Sequence, residues 1–71
     1  MAIFYIYSAE DYLFLSSFRV EKIDSFYHVI AERNGYSFKI ADFNDDEEKE
    51  AFMFRDMAEI TSAYFRTPII H

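Results

Sequence analysis

Residues 26–43 read FYHVIAER-NG-YSFKIADF, two alternating runs either side of Asn34-Gly35. Asn-Gly is the pair that a two-residue type I′ turn favours, because both central residues take φ > 0. Gly35 is the single glycine of the chain, and it falls where a hairpin needs one. Folding about that turn predicts the pairs Arg33/Tyr36, Ala31/Phe38, Val29/Ile40 and Tyr27/Asp42 on one face. The other face receives Glu32/Ser37, Ile30/Lys39, His28/Ala41 and Phe26/Phe43. Val29, Ala31, Phe38 and Ile40 then make an apolar surface, while Glu32, Lys39 and Ile30 make a solvent-tolerant one.

Upstream, residues 2–7 (AIFYIY) read as a strand with two apolar faces, Ile3, Tyr5 and Tyr7 on one and Phe4 and Ile6 on the other. The expected continuation is a hairpin through residues 8–11 that returns residues 12–15 beside this strand. The competing reading is a short helix from Ala9, with Ser8 and Asp11 as an approximate capping box. Residues 18–23 (FRVEKI) alternate weakly. Their charges suit an edge strand, and Asp24-Ser25 suits a turn.

Downstream, Asn44/Glu47 and Asp45/Glu48 both fit a helix start. The periodicity predicts a helix over 46–65, ended by Thr67-Pro68. At 100° per residue, Met53, Phe54, Met57, Ala58, Ile60, Thr61, Tyr64 and Phe65 fall within an arc of about 160°. That arc is expected to face the sheet, with Arg55, Asp56, Glu59, Ser62 and Arg66 opposite. The fold class is therefore α+β: a small antiparallel β-meander of three to four strands packed on one face by a C-terminal helix, in one domain.

Composition bounds the function. The chain has 71 residues, no cysteine and a net charge of −6. The cysteine count excludes disulfides and thiolate metal sites, and the charge disfavours direct contact with nucleic acid or an anionic membrane. No signal-peptide or membrane-spanning pattern is present, so a cytoplasmic location is expected. A domain this short buries only about 60% of its unfolded surface, yet it carries nine Phe and six Tyr. Some rings must lie outside, which favours a protein partner or a homodimer or other homo-oligomer.

Chemistry-bearing motifs are few. His28 and His71 lack a second ligand at metal spacing. No nucleophile elbow or phosphate loop is present. No enzyme activity, cofactor or metal is expected. Asp42-x-Asn44-x-Asp46 opens like a calcium loop, but Glu47 and Met53 stand where an EF-hand has Gly and Glu. The run of residues 42–50 holds six carboxylates, Asp42, Asp45, Asp46, Glu47, Glu48 and Glu50. These serve a helix start and solubility, or else form an acidic patch for a basic groove, as in an inhibitor of a nucleic-acid-handling protein. Phe52 lies mid-way along the polar side of the helix and, rimmed by Asp56 and Glu59, is a candidate partner anchor. Tyr5 and Tyr7 extend the candidate surface to the sheet. Tyr5, Tyr7, Tyr12, Tyr27 and Tyr36 would suit stacking on single-stranded nucleic acid, but the sheet has too few basic residues for that, and a protein interface is favoured. The expected function is a non-enzymatic protein-interaction module, a self-associating regulator or assembly factor, with the acidic inhibitor as the alternative.

Overall fold

The computed structural model describes residues 2–6 and 8–66. Four strands, β1 (Ile3–Phe4), β2 (Ser16–Ile23), β3 (Phe26–Arg33) and β4 (Tyr36–Asn44), precede one helix, α1 (Glu48–Arg66). They form one antiparallel sheet in the order β1-β4-β3-β2. Asn34 and Gly35 both have positive φ, 53° and 83°, as the hairpin reading requires. Asp24, at φ 57°, opens the second two-residue turn. The edge strand extends two residues further upstream than its alternation suggested. Ser17 takes φ 53° at a bulge in β2, where the register shifts between Ser16 and Arg19.

Near the β3/β4 turn the register is the expected one, through Ile30/Lys39. Beyond it the ladder resumes at Val29/Ala41, so Ile40 is an extra residue in β4. Ile40 and Ala41 are both fully buried. The bulge corrects the expected pairs Val29/Ile40, Tyr27/Asp42, His28/Ala41 and Phe26/Phe43, which become Val29/Ala41, Tyr27/Phe43, His28/Asp42 and Phe26/Asn44. A one-residue shift exchanges the faces of everything beyond it. Phe43 turns into the core and Asp42 joins His28 on the opposite face.

The N-terminal hairpin is not formed. Residues 12–15 do not return beside β1; Ala9–Phe14 is a short 3-10 helix, with Ser8 as its N-cap accepting from the Glu10 N–H. β1 is two residues long and pairs with β4, as Ile3/Asp42 and Phe4/Ala41. The local Ser8 cap outweighs the four-residue loop that a hairpin would need. Tyr12 and Leu15 are thereby delivered to the core.

The helix also begins later than expected, at Glu48. The Asn44/Glu47 pairing does form: the Glu47 carboxylate accepts from the Asn44 N–H at 2.9 Å, the back-reaching half of a capping box. Which side of α1 meets the sheet is a larger correction. Ala51, Ala58 and Ser62 are fully buried, with Phe54, Arg55 and Thr61 half-buried beside them. Met53, Met57, Ile60 and Tyr64 are 60, 46, 69 and 71% exposed. They are centred about 150° round the helix from the buried stripe. The bulk of the core comes from elsewhere: Tyr12, Leu15, Tyr27, Val29, Ile40 and Phe43. Phe4, Phe43 and Phe54 stack mutually, with centroids 5.3–5.9 Å apart. Against such a surface a helix packs closely only through small side chains. The Ser62 hydroxyl pays for its burial by donating to the Leu15 carbonyl at 3.0 Å.

Candidate functional site

One helix covers one face of the sheet, and among the described residues two surfaces remain open. The first is the uncovered sheet face. The bulge at Ile40 puts Lys39 and Asp42, three residues apart, on the same side. Regular alternation would separate them. The Asp42 carboxylate is 13% exposed and gathers three partners. Lys39 Nζ lies 3.0 Å from Oδ2, the Tyr5 hydroxyl donates to Oδ2 at 2.6 Å, and His28 Nδ1 lies 2.8 Å from Oδ1. Asp42 Oδ1 is buried and makes no hydrogen bond among the described residues, with His28 Nδ1 as its close ion-pairing neighbour. The Lys39 ammonium also lies 5.2 Å from the Tyr5 ring centroid. Around this cluster Ile3, Phe26, His28, Lys39, Asp42 and Asn44 line a shallow depression of about 370 Å³.

Burial, the largest single influence on Asp42, raises its pKa. The hydrogen bonds from Tyr5 and Lys39 and the charges of Lys39 and His28 together outweigh it and hold the carboxyl below its ordinary range. The hydrogen bond to Asp42 raises Tyr5 and Lys39 above theirs. Because Asp42 is lowered in the fold, its stabilisation is complete above the ordinary carboxylate range and is lost as pH falls through the depressed value. Tyr5 and Lys39, being raised, stabilise below their ordinary values and lose that contribution as pH rises through the raised ones. Thermal melts between pH 7 and pH 2.5 should show a steeper acid loss for the natural chain than for Asp42→Asn, whose melting temperature at pH 7 should be lower by a few degrees. Equal slopes would mean that the cluster contributes no pH-linked stability.

The second open surface is the outer side of α1. Met53, Met57, Ile60 and Tyr64 recur at intervals of four, three and four, the spacing of a coiled-coil seam. Ala51, Ala58 and Ser62 seat the back of the helix on the sheet, so this seam points away from the core. Phe52, Asp56 and Glu59 lie together along one flank of the seam. Phe52 is 39% exposed, and the Arg55 guanidinium sits 5.1 Å from its ring centroid while ion-pairing with Asp56 at 2.7 Å. Tyr5 is not part of that surface; it belongs to the sheet cluster. Tyr7 lies outside the described residues, as do His71 and the apolar Ile69-Ile70.

The acidic run does not act as one patch. Asp42 is held in the sheet cluster, Glu47 bonds Asn44, and Glu48 accepts from the Tyr27 hydroxyl, tying the helix start to β3. Asp45, Asp46 and Glu50 are exposed. A tyrosine platform is not assembled either: Tyr12 and Tyr27 are buried on the helix side and Tyr36 stands at the hairpin end. The four-three-four seam is visible in the sequence, but apolarity alone points it to the core. The His28–Asp42–Lys39 grouping carried no signal, because a bulge creates it. No described helix is long and apolar enough to cross a membrane. Comparison with family models, curated proteins and solved structures gave no match.

Proposed function

We propose that this chain is a non-enzymatic protein-interaction module, a small regulator or assembly factor, whose α1 seam docks an apolar helical face of a partner. The observation that carries the reading is the exposure of Met53, Met57, Ile60 and Tyr64 in coiled-coil spacing on a helix already seated through its other side. Four such side chains expose an apolar strip of roughly 400 Å², the size of a monomer's largest patch, which is often functional. Phe52 and Phe65 extend it, and Asp56 and Glu59 supply polar flanking groups. The acidic-inhibitor reading draws less support, since three of the six carboxylates of residues 42–50 are engaged inside the molecule.

Ile60→Lys separates the two readings. It should change folding stability by no more than about 0.5 kcal/mol, because the side chain lies outside the core, and weaken partner binding roughly tenfold or more. A photo-crosslinker at position 59, in cells of the source organism, identifies the partner. Its binding to the natural chain, to Ile60→Lys and to Asp45→Asn/Asp46→Asn/Glu50→Gln is then compared at low and high salt. Loss with Ile60→Lys and persistence in high salt are the expected results. Loss with the neutralised acids and with salt, but not with Ile60→Lys, would overturn the seam in favour of acidic docking.

A further inference from the structure

β2 is the end strand of the sheet, eight residues long, with no strand along its outer side among the described residues. The two-residue turn at Asp24-Ser25 makes Ile23/Phe26 the closing hydrogen-bonded pair. Bonded pairs then alternate, at Glu21/His28 and Arg19/Ile30. The N–H and C=O groups of Val20 and Lys22 consequently point away from β3, unpaired at the sheet edge, up to the bulge that precedes Arg19.

We infer that a second copy of this chain occupies that edge, by antiparallel pairing of β2 with β2 about a two-fold axis at Val20. The side chains specify both orientation and register. Centred on Val20, the ladder sets Val20 opposite Val20, whose free backbone groups face each other, and Lys22 opposite Phe18 at the bulge. Between them lie Arg19 opposite Glu21 and Glu21 opposite Arg19. These are non-hydrogen-bonded pairs, in which side chains approach closest. On the uncovered sheet face Arg19 Nε already reaches Glu21 Oε2 within its own strand at 3.2 Å, and both side chains are more than two-fifths exposed. In the pair, each guanidinium lies between two carboxylates. The neighbouring registers of the same parity fail. One sets Arg19 against Arg19 and the other Glu21 against Glu21. Parallel pairing in register sets both like pairs against each other. The charges that would otherwise protect an edge thus complement themselves in a single arrangement.

The half-buried Phe18 and Val20, which flank the core, gain cover from their counterparts. The axis is perpendicular to the sheet, so both helices lie on one side of an eight-stranded sheet and both α1 seams stay free. This inference is independent of the seam reading.

Sedimentation velocity across a concentration series, with circular dichroism to confirm folding, tests it. The natural chain should dimerise. Arg19→Glu, which places acids across from acids at both symmetric sites, should weaken the dimer roughly tenfold to a hundredfold. The double exchange Arg19→Glu/Glu21→Arg restores both opposite-charge pairs and should restore the dimer. Ile60→Lys should leave it unchanged. A natural chain that stays monomeric at high micromolar concentration would overturn the inference. So would a dimer indifferent to Arg19→Glu, a double exchange that fails to recover it, or a dimer abolished by Ile60→Lys, which would place self-association on the helix seam instead.

Discussion

Ala58→Leu should cost about 3 kcal/mol and bring the domain close to unfolding at 37 °C. Ala58 is fully buried between α1 and the sheet, in line with Ala51 and Ser62. Three added carbons there meet a packed surface. The helix has to lift or tilt, and overpacking of this kind typically costs about 1–3 kcal/mol or more. Lifting α1 also stretches the Ser62–Leu15 hydrogen bond and loosens the Phe4–Phe43–Phe54 stack. A domain of this length commands only about 3–5 kcal/mol in total. Urea unfolding, compared with Ile60→Lys, is the measurement. The contrast is the diagnostic: enlarging an alanine should be severe, and charging an isoleucine two residues away should be close to silent. The reverse ranking would mean that the helix presents its seam to the core.

Ile40→Ala is the second large effect, expected at about 2–4 kcal/mol. Ile40 is among the largest fully buried side chains, together with Leu15 and Val29. The loss should come without rearrangement of the uncovered face. What turns Asp42 toward His28 is the register of β4 on β3 beyond the bulge, not the size of the side chain at position 40. Chemical shifts of the His28 ring and the Lys39 ammonium should therefore stay near their natural values while the unfolding midpoint drops. Deleting Ile40 makes the same distinction: Lys39/Ile30 and Ala41/Val29 become consecutive pairs of a regular ladder, and the cost remains that of the lost side chain and the altered twist.

The elements that sequence reasoning placed well are those with local signatures. The Asn34-Gly35 hairpin, the edge character of β2, the turn at Asp24-Ser25 and the Asn44/Glu47 pairing ahead of the helix each rest on a few adjacent residues with particular backbone or capping needs. The misplacements arise where the deciding interaction is distant. β1 finds β4 rather than residues 12–15, and Asp42 lies 37 residues from the Tyr5 that donates to it. The bulge has no signature at all, since Lys39, Ile40 and Ala41 alternate as any strand does. The helix face was misread for a different reason. Apolarity alone ranks Met53, Met57, Ile60 and Tyr64 above Ala51 and Ser62. Where a sheet already supplies aromatic bulk, the space left for a helix selects for smallness. Of the candidate residues, Phe52, Asp56 and Glu59 do share a surface with one another, and Tyr5 belongs to a cluster whose other members were legible only once the register was known.

The brevity of β1 has a consequence for the size of any assembly built on this sheet. Its two paired residues, with the Tyr5 N–H donating to the Ile40 carbonyl just beyond them, cover the far side of β4 but offer too short a template for a further strand. The molecule thus has one end open to pairing and one end blunted. Growth that begins at β2 is complete after a single joining and has nowhere to continue. A finite, closed particle is favoured over a fibre, even though the chain carries the aromatic and β-branched content from which fibres are readily made.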